Sequence, residues 1–378
     1  MSDTKILGPV GYGLVGCGLF GRFCLEQYGT MADGKPIAVA DMNPEAARTL
    51  AGDFEIDACE SVEDLFARPE VELVHIATPP FTHTELVTKA LSADKHVLCE
   101  KPLALNLDDA QSMIELASAK ERVLSVNLIM RYDPLCEVVR QVVDEKLLGE
   151  PLHGFFENYA KDELLPPDHW FWDHKKSGGI FIEHGVHFFD LFASWLGEGK
   201  VVAAQEVVRP GANLVEQVQC VVRYAGGVLV NFYHGFTQAE RMDRQEMRLV
   251  FERGTIQMFE WVPTEIRIDC LADQGTLKAL QNFLPEAHVE TLARYPDPQR
   301  HVTSRSKEYE VDGRYVITGD AGLAKPELYG HVLRALLSDQ VAAIRDPSRV
   351  RRITEKNGYT SLHMAEEATR LARETSRC

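Results

Sequence analysis

The sequence predicts an α/β protein in two parts: a doubly wound parallel sheet first, then an α/β domain built on a mainly antiparallel sheet. Three observations carry this. In the first third, short apolar runs alternate with amphipathic stretches, the pattern of parallel strands covered by helices. A glycine turn, Gly16-Cys17-Gly18-Leu19-Phe20-Gly21, follows the first of those runs. Beyond Asp133-Pro134 the runs lengthen and alternate polar with apolar residues, as strands with one buried face do.

The first strand is the apolar run 12–15, and the glycine turn leads into a helix on which Phe20, Phe23, Cys24 and Tyr28 recur at helical spacing. Strand, glycine turn and helix N-terminus together make a site for an anionic pyrophosphate. Gly16 permits the tight turn, Gly18 lets backbone approach the phosphates, and Gly21 lets helix pack on strand. Leu19 and Phe20 offer backbone N–H groups there. A second run, 37–40, ends at Asp41, which stands 20 positions after Gly21. A carboxylate there accepts hydrogen bonds from an adenosine ribose and repels a 2′-phosphate, so the expected cofactor is NAD rather than NADP.

Asn43-Pro44-Glu45 opens the next helix, with Asn43 as N-cap and Pro44 at the first helical position. Ser61-Val62-Glu63-Asp64 opens another. Residues 73–77 form a strand stopped by Thr78-Pro79-Pro80, and 96–99 one stopped by Glu100-Lys101-Pro102. A helix with Ala110, Met113, Ile114 and Ala117 on its apolar face precedes the strand at 123–127. The first domain is therefore placed at 1–128, a second at 129–350, and a C-terminal helical segment at 351–378. In the second domain a helix at 135–147 precedes strands at 152–159, 201–208, 216–224, 228–235, 246–251 and 255–259, with a helix near 180–196. Residues 286–313 show little periodicity and are assigned no element. Helical patterning returns at 327–343 and 360–375.

At 378 residues the chain exceeds one ordinary core. A net charge of −17 disfavours nucleic acid or an anionic membrane as partner, since both need a basic face. No run reaches transmembrane length, and residues 1–9 lack a signal-peptide layout. The eight cysteines are scattered without a Cys-x-x-Cys pair, which fits a reducing cytoplasm better than a disulfide framework or structural zinc.

The chain resembles the family of glucose-fructose oxidoreductase, inositol 2-dehydrogenase and MocA over nearly its whole length. The resemblance rests on Ala77-Thr78-Pro79, His83, Ala90-Leu91 and the block from Lys95 to Glu100-Lys101-Pro102. It extends to Arg131-Tyr132-Asp133-Pro134, and to Ser177-Gly178-Gly179 with Glu183, Gly185, His187 and Asp190. It implies a Rossmann domain followed by an α/β domain with a large, open, mainly antiparallel sheet, through which a homodimer or homotetramer forms. Three positions depart from the family pattern. Asp94 stands where glycine is usual, and Asp tolerates the left-handed region. Ile180 replaces a third glycine, and Glu183 replaces an aspartate.

The resemblance makes Lys101, His187 and Glu183 the catalytic residues, with His187 as acid/base and Glu183 as its orienter or a ligand of a substrate hydroxyl. On a regular helix Glu183, His187 and Asp190 would share one face. Pro102 permits a cis Lys–Pro bond that would aim Lys101 back into the cleft. Thr78, Pro79, His83, Glu100 and Lys101 are expected on the cofactor. Lys101, Arg131, Trp172, Glu183, His184 and His187 are expected on the substrate. Arg131 reads equally as a structural residue, and Trp170 and Trp172 either stack on a sugar ring or pack in the core. Glu183, His184, His187 and Asp190 are possible metal ligands, but the spacing is not His-Glu-x-x-His and the chemistry needs no metal, so none is expected. The expected activity is NAD-dependent oxidation of a secondary hydroxyl of a sugar, cyclitol or related polyol. A redox-assisted glycosidase that keeps NAD tightly bound is the alternative. A non-catalytic nucleotide sensor is a third reading, which retention of both Lys101 and His187 disfavours.

Overall fold

Six short parallel strands carry the N-terminal third of the computed structural model, which describes residues 8–161, 165–166, 168–212 and 214–376. They are β1 (Val10–Val15), β2 (Gly34–Ala40), β3 (Asp57–Ala58), β4 (Leu73–Ile76), β5 (His96–Cys99) and β6 (Leu124–Val126), in the order β3-β2-β1-β4-β5-β6. Every residue of β1, β4 and β6 is buried, as a sheet covered on both faces requires. The covering helices are α1 (Leu19–Tyr28), α2 (Pro44–Phe54), α3 (Val62–Phe66), α4 (His83–Ser92) and α5 (Leu107–Ala119). Their starts follow local chemistry. Asn43 accepts from the Glu45 N–H with Pro44 behind it, Ser61 accepts from Asp64 and Asn106 from Asp109. Asp94 sits at φ +60°, the left-handed conformation expected of it.

The described chain divides into two units. One holds the chain to Ile129 together with Asp168–His187 and Gly330–His363; the other holds Met130–Pro167, Phe188–Tyr329 and the chain from Met364. The second unit contains α6 (Pro134–Asp144), β7 (Pro151–Ala160), and, after the short α7 (His174–Ser177) of the first unit, most of α8 (Val186–Leu196). Then come β8 (Gly199–Val208), β9 (Val215–Tyr224), β10 (Leu229–Phe236), β11 (Arg244–Phe251), β12 (Gly254–Phe259), β13 (Glu265–Ala272), α9 (Gln274–Phe283), β14 (His288–Arg294), the β15–β16 hairpin (His301–Ser304 and Lys307–Glu310) and β17 (Gly313–Asp320). The chain closes with α10 (Lys325–Arg345) and α11 (Glu355–Ser376).

Nine of these strands form one sheet in the order β14-β17-β13-β12-β11-β7-β10-β9-β8, antiparallel at every pairing except β7 with β10. Its inner face is apolar: Phe156, Val230, Phe232, Leu249, Ile256 and Ile268 are buried. The phenylalanines of α8 supply much of the cover. Phe188 stacks on Phe156 at 3.5 Å between ring centroids, and Phe189 and Phe192 meet Phe232 edge-on. The Trp195 indole N–H donates to the Cys136 carbonyl at 3.1 Å and ties α8 to α6.

In the second unit, patterning left β13, α9, β14, the β15–β16 hairpin and β17 unmarked. The stretch 286–313 is not an irregular excursion; it contains β14, paired along β17, and the β15–β16 hairpin. β14 is an edge strand with hardly a buried residue, so burial left no alternation in its sequence. The seven cysteines among the described residues are all reduced, and Cys378 lies outside them. No described helix is long and apolar enough to cross a membrane.

Candidate active site

The glycine turn has the shape an anionic ligand needs. Gly16 sits at φ +102°, and a Cβ there would stand 2.4 Å from the Ala77 carbonyl oxygen. A Cβ on Gly21 would stand 2.0 Å from the Gly16 oxygen. At Gly18 a Cβ would meet nothing within 4 Å, and no side chain caps α1. Two glycines therefore permit close packing, while the third leaves the helix N-terminus open, with Leu19 exposed beside it. Asp41 is held against this turn. Its Oδ2 accepts the Cys17 N–H at 2.7 Å and its Oδ1 accepts the Asn43 N–H at 2.8 Å. Each oxygen keeps a second lone pair for a ribose hydroxyl. Burial and the Asp41 charge push the Cys17 thiol up to about 12, so it is an inert, protonated neighbour.

Lys101 leaves the carboxyl end of β5 across a cis peptide bond to Pro102. Its Nζ donates to the Glu183 carbonyl at 2.9 Å and to the Glu183 carboxylate. Glu183 lies on a wide π-helical turn, Phe181–Gly185, entered through Gly178 and Gly179 at φ +78° and +96°. Burial alone would raise the Glu183 carboxyl, but the charge of the Lys101 ammonium and its hydrogen bond outweigh it and hold the group below the usual carboxylate range. Burial pushes His184 down to about 4. His187 is driven well below the ordinary histidine value by burial first, then by the Lys101 ammonium. The arrangement is a part-buried ion pair beside two neutral imidazoles: a proton donor and proton acceptors in one place.

The wide turn explains a difference from the sequence expectation. A regular helix would stack Glu183, His187 and Asp190 on one face, but the π-helical turn breaks that spacing. Glu183 is directed to Lys101. In the second unit, Asp190 takes Arg131 instead: Arg131 Nε donates to Oδ2 at 2.7 Å and Nη2 to Oδ1 at 2.8 Å. This two-point pair makes Arg131 an anchor of α8.

His83 also departs from expectation. It is fully buried, with Nδ1 2.7 Å from the Pro102 carbonyl and Nε2 2.9 Å from the Thr78 carbonyl. It is a strut between the turns after β4 and β5. Thr78 is half-buried, its hydroxyl 2.6 Å from that of Thr82, and Pro79 precedes the short turn at Pro80–Thr82. Trp170 and Trp172 are both half-buried, each with an edge-on contact to Phe171. Two residues that meet Glu100, His75 and Asn127, are not among the expected site residues. Glu100 Oε1 accepts from Asn127 Nδ2 at 2.6 Å and faces His75 Nε2 at 3.0 Å. A histidine inside the apolar run 73–77 was the available signal for His75.

Residues 10–128 match a family model described as the oxidoreductase family with an NAD-binding Rossmann fold, and residues 136–257 match the GFO/IDH/MocA C-terminal domain. The inositol 2-dehydrogenase of Rhizobium meliloti (strain 1021) is 31% identical over 343 residues, covering 89% of this chain and 99% of that protein. The myo-inositol 2-dehydrogenase of Thermotoga maritima is 28% identical over 57% of this chain and 66% of its own length. A levoglucosan dehydrogenase solved with NADH and L-sorbose shares the fold at a TM-score of 0.77 and 20% identity, covering 97% of this chain and 98% of that one.

Proposed function

The chain belongs to the Gfo/Idh/MocA oxidoreductase family, and on that premise we propose that it is an NAD-dependent dehydrogenase that oxidises one secondary hydroxyl of a sugar, cyclitol or related polyol to a ketone. The observation that carries the reading is the Lys101–Glu183 ion pair set beside the neutral imidazoles of His184 and His187. NAD, when bound, supplies the acceptor for the carbinol hydrogen. Gly16, Gly18 and Gly21, with the backbone of Leu19 and Phe20, hold its pyrophosphate, and Asp41 holds its adenosine ribose. Lys101 orients the substrate hydroxyl by hydrogen bonding. His187 takes the hydroxyl proton on an unprotonated ring nitrogen. Glu183 fixes the Lys101 ammonium and makes the site neutral as a pair, so that the proton moved to His187 is the one new charge. Incubation with NAD and a free polyol should accumulate NADH and ketone in equal amounts; accumulation of neither with any free polyol would sink the reading.

The preference for NAD rests on the Asp41 charge. Asp41→Asn keeps one acceptor oxygen and removes the charge, so kcat/KM for NADP relative to NAD should rise about tenfold, equal to about 1.4 kcal/mol. Initial rates with the two nucleotides measure it. An unchanged ratio would place the discrimination elsewhere.

A further inference from the structure

Glu100 ends the strand that delivers Lys101, and three neighbouring strands meet on its carboxylate. Asn127, just beyond β6, donates to Oε1 at 2.6 Å, and His75, on β4, reaches the same oxygen at 3.0 Å. Both partners are buried, at 2% and 1% exposure, while the Glu100 side chain keeps 11%. Two donors converging on one oxygen fix the plane of a carboxylate, and neither of these hydrogen bonds uses Oε2. For Nε2 of a neutral His75 to donate, the ring must carry its proton there and leave Nδ1 bare. The Tyr28 ring, 5.6 Å away between centroids, packs against the imidazole and limits its rotation. Nothing in the hydride chemistry requires a histidine inside β4. The hydrogen bond of His75 to Glu100 gives its placement a purpose.

We propose that His75 and Asn127 are positioning residues for the cofactor: they clamp Glu100 by Oε1 so that Oε2 accepts a hydrogen bond from a hydroxyl or amide of the bound nicotinamide nucleotide, next to Lys101. This rests on the nucleotide-binding reading above. Cys24 Sγ also lies within 4.8 Å of ligand atoms of His75 and Glu100, a grouping that could hold a metal ion. An ion there would replace the His75–Glu100 hydrogen bond, so the two arrangements are mutually exclusive.

His75→Leu removes the donor at similar volume, and His75→Gln restores a side-chain N–H. Both are compared with the unaltered protein by NADH fluorescence titration without substrate, with melting temperatures alongside. The clamp predicts NADH binding about tenfold weaker in His75→Leu and within about twofold of the unaltered protein in His75→Gln. Steady-state rates should show the His75→Leu loss mainly in KM for NAD and little in kcat. Should His75→Leu not fold, Asn127→Ser, which withdraws the second donor, is titrated in its place with the same weakening expected. Failure of the unaltered protein to bind NADH would overturn the nucleotide reading itself. Normal binding by the unaltered protein and by His75→Leu alike would overturn only the clamp. Equal weakening in His75→Leu and His75→Gln would reduce His75 to packing. One equivalent of tightly held divalent metal in the purified protein would replace the clamp by a ligand cluster.

Discussion

Lys101→Met should lower kcat by about three orders of magnitude while NADH binding changes by no more than about threefold. Methionine keeps the length of the side chain and removes the ammonium. Three consequences act together. The substrate hydroxyl loses its hydrogen-bond donor. Glu183 loses the cation that offsets its burial, so its carboxyl moves upward and carries a proton over more of the neutral range. His187 loses the nearby positive charge, the second cause of its depression after burial, and titrates higher. The residual rate of the variant should therefore decline toward acid at a higher pH than that of the unaltered protein, because protonated His187 cannot accept. Steady-state kinetics over a pH series, with NADH titration on the same preparation, measure both effects. Loss of NADH binding in step with kcat would make Lys101 a cofactor-binding residue rather than a catalytic one.

The largest effect on stability is expected from Arg131→Met. Asp190 is 4% exposed, and its carboxylate would be left buried without its cation. Breaking a buried pair from one side costs about 3–5 kcal/mol; the Arg131 side chain keeps 19% exposure, which argues for the lower end. A loss of about 3 kcal/mol corresponds to about 6 °C in the midpoint of thermal unfolding. Arg131→Met with Asp190→Leu removes both charges and should recover most of that loss. Differential scanning calorimetry of the three proteins tests this. An unshifted midpoint with a raised KM for the polyol would return Arg131 to the substrate side.

Several features could be read from the chain because each depends on neighbours in sequence. The glycine turn is backbone chemistry, and Gly16, Gly18 and Gly21 sit where close approach, openness and packing demand them. Asn43 and Ser61 cap the helices they precede. Glu100-Lys101-Pro102 marked the end of β5. What escaped depends on partners far along the chain. Lys101 and Glu183 are 82 positions apart, and Arg131 and Asp190 are 59 apart. Helical spacing suggested a Glu183–His187–Asp190 face, but the glycine-led wide turn at Phe181–Gly185 redirected it. His83 drew attention as a polar residue near a helix start, yet burial turned both its ring nitrogens onto backbone carbonyls. In β13 the alternation was present, with Ile266, Ile268 and Cys270 facing in and Arg267 and Asp269 facing out. In β14 exposure on the sheet edge erased it.

The most direct test is a parallel assay of inositols, free sugars and glycosides with NAD supplied, in which NADH absorbance and product are measured in the same wells. Oxidation of a secondary hydroxyl predicts net NADH matched one for one by ketone with at least one free polyol, abolished in Lys101→Met. Cleavage of a glycoside without net NADH would contradict it.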